Sequence, residues 1–472
     1  MSKHNASPRD RSLPFFAGAD YDEISQVLPL PACSSRRQRE ALAAVVAGML
    51  HHVRMRRDDQ WISYSRDRSR YAGQGFYHGE AYGYAPVVGA IDRLAAAGFF
   101  SEHDRKPQTR VATGIQSRFR PKAGLLLGHD LPRITKPAGQ LIRLRDRKTR
   151  ALVPFRETKN VARMRAFVSR INRHIAETDI QFHGGQTRDG TICHFARHSV
   201  DLADMSLDRI FSGDWSMGGR FYGACWQSMT KEDRQKFSIN GEAVVEHDYR
   251  SLHPRILYTL LGRIDLDWDS YDAYAIPGFG DQRKACKRAF NIMLNANSES
   301  DAVGAVAEHV RSRSFIEARD LIEAIKSAHP GLVRLFHSDI GIKLQWLDAE
   351  MCRDVLDAMV LQRGITTLPI HDSFIVPVSG GAELVQVMET VFDRIIGRTD
   401  IRDLVDISVF YPKTILHNGG SCPPPGPPLP ATIQQTQRLK PETSRNGNSS
   451  SPRTRNRNPK RRGTTSSIQQ IV

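Results

Sequence analysis

Two short apolar runs, each interrupted by an acidic residue, constrain this chain more than any other feature. The first leads through Val244 and Val245 into Asp248, and a helix start is expected near Pro254. The second, Ile365 to Val376, carries His371-Asp372 in its middle, and the flanking apolar residues predict a β-hairpin with His-Asp at its tip. A carboxylate at the end of a buried strand is costly unless a metal ion or hydrogen bonds compensate it. Alone, Asp248 reads equally well as a helix cap. Paired with Asp372 on a neighbouring strand, it has a second reading. Two such carboxylates can hold two divalent ions about 4 Å apart, which stabilises the attacking and leaving oxygens of phosphoryl transfer. Mg2+ suits so small a set, because phosphates and water complete its shell, and Mn2+ is the alternative.

Between these runs lies Arg283 to Asn295. Arg283 and Lys287 are four residues apart and share a helical face, which Asn291 and Asn295 continue. Two cations followed by two amides can line up a triphosphate, then a sugar and base. The plainer reading is an exposed basic helix.

Charge supports a polyanionic partner. The 472 residues carry a net +16, about half of it in residues 418–472, which hold nine Lys/Arg against one Glu. The excess in the rest predicts nucleic acid as a partner. No apolar run approaches the length of a membrane span, the N-terminus has no signal-like apolar core, and six cysteines without a CxxC pair make no disulfide framework. A cytoplasmic protein that does not enter a membrane is expected.

The expected organisation has four parts. Residues 1–35 read as a flexible arm. Residues 36–135 hold a helix with Leu42, Val45, Val46, Met49, Leu50 and Val53 at helical spacing, a Tyr/Gly-rich stretch, and a helix from Val87 to Ala97 ended by Gly98. A basic loop with Arg105, Lys106, Arg110, Arg118, Arg120 and Lys122 follows. This order resembles the winged-helix domains of plasmid replication initiators, and the resemblance implies DNA binding. The alternative is a small α+β domain with a solvated basic hairpin. A short hairpin is expected over 137–153, then a long basic helix over Thr158–Glu177, its arginines either a solvated face or a duplex contact. Residues 417–472, with the polyproline stretch Cys422–Pro430, are expected to be disordered and to offer sequence-blind phosphate affinity or a site for replication partners. His183, Cys193, His194 and His198 form a loose cluster without zinc-site spacing, and Cys225-Trp226 reads as core.

The segments of residues 210–380, in their order, resemble the palm and fingers motifs of family-A DNA polymerases and single-subunit, phage-type RNA polymerases. Asp248-Tyr249 followed by Leu252 and Arg255 is similar to DYSQIELR, Arg283 and Lys287 match the RxxxK of the fingers helix, and Leu368–Phe374 is similar to the HD-containing motif. Gly218-Gly219-Arg220, Gln227 and Arg234 resemble the TGR…NLQNIP…R stretch. Gly341–Gln345 sits where the family has a primer-contacting helix. The sequence departs from family A at Asn291 and Asn295, where aromatic residues are expected. Ser373 after His-Asp follows the phage-type enzymes, whereas Ser251-Leu252-x-Pro254 is similar to family B.

The resemblance implies an α+β fold: a right-hand polymerase palm with an antiparallel sheet and helical fingers over 136–416, beside the winged-helix-like domain. It implies Asp248 and Asp372 as catalytic metal ligands, with the Tyr249 carbonyl beside them. It implies nucleotide contacts from Arg283, Lys287, Asn291, Tyr249 and His253, and primer or template contacts from Arg220, His371 and Gln345. His253, five residues after Asp248, stands at the sugar-selecting position: its bulk favours dNTPs, although His can also hydrogen-bond a ribose hydroxyl. The expected activity is Mg2+-dependent DNA synthesis on a primer–template for a plasmid, phage or mobile element. The alternatives are an RNA polymerase or primase, and a non-catalytic DNA-binding replication initiator.

Overall fold

The computed structural model describes residues 11–55, 60–105, 116–127, 140–188, 191–195, 198–263, 265–310, 315–398 and 400–405. Lys106 and Arg110 of the basic loop, and the whole of 417–472, lie outside these residues. The protein is mixed α+β. Two units divide it, residues 1–252 with 342–401 and residues 253–341 with 402–472. The N-terminal region and the sheet that follows fall in one unit. No helix among the described residues is long and apolar enough to cross a membrane.

In the first unit, residues up to Leu126 share one apolar cluster. Helix Arg36–Arg54 is capped by Ser35, whose hydroxyl accepts the Gln38 N–H, and buries Leu42, Val45, Val46, Met49, Leu50 and Val53. Helix Tyr84–Ala96 packs against it through Val87, Ile91 and Leu94. Gly98, at φ +76°, turns the chain into the antiparallel strands Phe100–Asp104 and Ser117–Pro121. Ile62–Tyr64 pairs with Ser117–Pro121, and Arg11–Ser12 adds a parallel edge strand. Residues 11–35 are thus not a loose arm. They supply that strand and helix Tyr21–Val27, and they bury Phe16, Ile24 and Leu28, apolar positions too widely spaced to register as a pattern.

A five-stranded antiparallel sheet follows in the same unit. Its order is Leu368–Ile370, Ser373–Pro377, Glu242–Asp248, Phe237–Ile239, Ile180–Phe182. Helix Gly381–Ile396 packs against its central strands. Helix Lys159–Glu177, capped by Thr158, buries Val161, Val168, Ile171 and Ile175 and leaves Arg163, Arg170 and Arg173 exposed. The strand Ile142–Arg145 closes only an isolated bridge to Leu152; its main partner is Asp208–Ser212, in parallel.

The described part of the second unit is helices and loops without strands. Helices Arg283–Asn295, Glu299–His309 and Phe315–Ala328 bury Phe290, Met293, Val306, Ile322 and Ile325. His329, 1% exposed, closes this core. Its Nε2 donates to the Ala273 carbonyl at 2.8 Å, and its Nδ1 lies 3.1 Å from the Tyr258 hydroxyl. Burial pushes its pKa from 6.5 down to about 4, so it is neutral near pH 7.

Candidate active site at the end of the sheet

The register places the two aspartates together. Asp248 stands opposite Ser373, and the next rung is closed by the Tyr249 N–H donating to the Asp372 carbonyl at 3.0 Å. His371 and Asp372 form the two-residue loop of the hairpin, and His371 takes φ +58°. A positive φ at the first loop residue is normally left to Gly, so the tip carries backbone strain. The hairpin is pinned at its other strand. Pro369 lies in the edge strand, where a missing N–H is tolerated. Its carbonyl accepts from Trp226 Nε1 at 3.0 Å and Gln227 Nε2 at 3.1 Å. Gln227 and the buried Trp226 therefore act as supports of the hairpin.

Asp248 is exposed and Asp372 half-buried. The desolvation cost expected of a carboxylate on a buried strand does not arise at Asp248, because the strand surfaces there. Neither carboxylate takes a hydrogen bond or an ion pair from a described residue. The Tyr249 side chain points elsewhere: it is buried beside Phe374 and Phe392, and its hydroxyl donates to the Met388 carbonyl at 2.7 Å.

Arg220 approaches Asp372 from the neighbouring sheet. Gly218 and Gly219, at φ +70° and +82°, form a bulge between strands Asp208–Ser212 and Asp214–Tyr222. A Cβ on Gly219 would lie 2.6 Å from the Phe211 ring, so only Gly fits. Bulges re-aim side chains, and this one directs Arg220 onto Asp348. The Arg220 Nε lies 3.0 Å from both Asp348 oxygens, and a further guanidinium nitrogen completes a bidentate pair. Arg209, fully buried, holds the bulge by donating to the Gly219 carbonyl at 2.7 Å and to Glu350 at 2.9 Å. Burial opposes the charge on Arg220, but Asp348 outweighs it and raises the pKa, with Tyr222 and Asp372 adding to the effect. His371 packs edge-on against Tyr222, with ring centres 5.2 Å apart. Burial, then Arg220, lower its pKa and hold it neutral. Burial likewise raises Tyr222.

The sequence reading missed Asp348, Glu350, Arg209 and Glu246. Asp348 had a signal: a charge inside an otherwise apolar stretch, Leu344, Leu347, Ala349, Met351, Cys352. Gln345, on the same helix, is buried at 8% exposure. Arg234, matched to the family's arginine, is a structural partner: it grips Glu246 through two bonds of 2.8 Å.

Of the residues expected to hold the nucleotide, Arg283, Lys287, Asn291 and His253 belong to the second unit and Tyr249 to the first. Arg283 pairs with Asp272 at 2.5 and 2.9 Å, and both Arg283 and Lys287 lie over the Tyr274 ring, at 5.5 and 5.6 Å. Asn291 and Asn295 follow on the same helix, each with a buried side-chain oxygen that lacks a hydrogen bond. His253 is the second residue of helix Leu252–Leu260. In the His/Cys cluster, His183 bonds Ser238, His194 bonds Ser199, and the Cys193 thiol donates to the Gly184 carbonyl.

A divalent ion fits the sheet end by its donor chemistry. The donors are the two carboxylates, both hard oxygens, and Arg220 is already neutralised by Asp348. Two negative charges are left over. Among the described residues no group of three or more His, Cys, Asp or Glu gathers into a cage. An ion there would keep open positions for phosphate and water, as Mg2+ does. No known family model matches the chain, and no curated protein does.

Proposed function

We propose that the protein is a template-directed nucleotidyltransferase, a DNA polymerase with a palm-like sheet, a helical fingers-like unit and a winged-helix-like N-terminal region. One observation carries this reading: Asp248 at a strand end and Asp372 in the loop of the adjoining hairpin, far apart in sequence, are neighbours in the sheet, and among the described residues neither carboxylate has a partner. The helix–strand–helix–helix–strand–strand order of residues 36–121, with its sheet order, supports the winged-helix part.

Asp248, Asp372 and the Tyr249 carbonyl would hold two Mg2+ ions, which supply Lewis-acid stabilisation of the attacking and leaving oxygens. The chain's own residues do the positioning. Arg220, fixed by Asp348, presents a rigid cation beside Asp372. Neutral His371 offers a ring nitrogen to the primer end. Its Nδ1 is buried without a partner. Arg283 and Lys287 supply positive charge for a triphosphate, and His253 sets the choice of sugar.

Primer extension tests the reading. Full-length protein is mixed with a primed DNA template and Mg2+, with dNTPs and NTPs in separate reactions, beside the Asp248→Ala/Asp372→Ala variant. Extension that the variant lacks supports the proposal, and the preferred triphosphate defines the role of His253. DNA binding without extension on DNA or RNA templates would instead identify a replication initiator.

A further inference from the structure

We propose that a second site, an aromatic cleft in the first unit, binds an unstacked base of single-stranded nucleic acid. The cleft is open to solvent, with a volume of about 470 Å³, and is lined by Phe76, Tyr77, Gln140, Leu141, Phe155, Glu157 and Arg165. This lies within the ~300–1,000 Å³ of small-ligand sites.

Its walls have the chemistry of a base platform. Phe76 and Phe155 meet edge to face with ring centres 4.9 Å apart, and Trp215 backs Phe155 at 5.1 Å. Phe76 is 37% exposed, one of few large apolar side chains open to solvent among the described residues. The site is rigid. The Tyr77 hydroxyl donates to the Val153 carbonyl at 2.6 Å and accepts the Leu144 N–H at 3.1 Å, and Arg165 grips Glu157 at 2.6 and 2.9 Å. Gln140, Glu157 and Arg165 give the rim donors and acceptors for base edges.

Charge selects the occupant. Arg156, between the lining residues Phe155 and Glu157, and nearby Lys159 are exposed and take no partner among the described residues. A protein of net charge +16 with unpaired cations beside an exposed aromatic wall matches a backbone of phosphates carrying bases that stack. Duplex DNA keeps its bases stacked and offers none to the cleft. The cleft shares no residue with the sheet-end aspartates, and the inference does not depend on polymerase activity.

The test measures binding of fluorescent dT20, rU20 and a blunt duplex to the full-length protein by anisotropy across a salt series. Phe76→Ala is expected to weaken single-strand binding roughly five- to a hundredfold, while Phe76→Trp retains it. Arg156→Gln/Lys159→Gln is expected to lower the salt slope by about 1.4, or 0.7 per phosphate contact. Loss for both strands means recognition blind to the sugar, and loss for one identifies it. Unchanged single-strand affinity in Phe76→Ala, or an equal loss for the duplex, overturns the proposal. Primer extension by Phe76→Ala is measured beside its dT20 affinity, so failure of extension and failure of the cleft are separable.

Discussion

Glu246 and Asp248 stand two residues apart on one strand and have opposite fates. Glu246 is 4% exposed and held by Arg234 through two hydrogen bonds. Asp248 is exposed and has no partner among the described residues. The same contrast recurs across the sheet, where Asp348 is fully buried against Arg220 while Asp372 is left open. A buried carboxylate must be neutralised by a partner at fixed geometry, and that geometry then belongs to the fold. A carboxylate left unpaired at a strand end costs little and stays available to a cation. The comparison separates acids that hold the structure from acids that can do chemistry.

The largest expected effect falls on the unpaired side. Asp248→Asn and Asp372→Asn should each lower nucleotide incorporation by roughly 10³-fold, with urea-unfolding stability within about 0.5 kcal/mol of the parent. The paired side should respond in reverse. Glu246→Gln leaves Arg234 buried without its counter-charge and should cost about 3–5 kcal/mol in urea unfolding. A stability loss at Asp248 as large as at Glu246 would erase the distinction.

His329 sharpens it with a buried group that has neutral partners. Its folded pKa, about 4, lies below the ordinary 6.5. Its contribution is therefore complete above pH 6.5, falls as the unfolded chain takes up a proton, and is gone below about pH 4. The loss is about 3 kcal/mol, and His329→Gln should flatten that part of the stability–pH curve. The smallest effect concerns the bulge. Gly219→Ala forces a Cβ into the Phe211 ring at a positive φ and should cost about 1–3 kcal/mol, with a loss of incorporation if Arg220 shifts.

What the sequence disclosed follows the range of each signal. Helix Arg283–Asn295, the His-Asp hairpin and helix Lys159–Glu177 are written in local periodicity, turn chemistry and caps; the limits of the helices agree with the pattern to within a residue or so, and the hairpin begins at Leu368, three residues after the start of its apolar run. The adjacency of Asp248 and Asp372 was legible because one ends an apolar run and the other sits at the turn in the middle of a second. The partners of Arg220, Arg209 and Arg234 were not. An ion pair between separate elements, whether 12 residues apart as for Arg234 and Glu246 or more than 100 as for Arg220 and Arg209, leaves no mark in either segment, and a glycine pair does not announce that it is a bulge. Residues 11–35 were missed for a related reason: three buried apolar residues there are enough to anchor the segment but too few to show a period.

The most direct test of the account compares single-nucleotide incorporation, under single-turnover conditions, by the unmodified protein, Asp372→Asn and Glu246→Gln. All three are assayed with Mg2+ on one primed template, at a temperature where urea titration shows each folded. The account predicts that Asp372→Asn is folded and inactive and that Glu246→Gln is less stable but active. Undiminished incorporation by Asp372→Asn would contradict it.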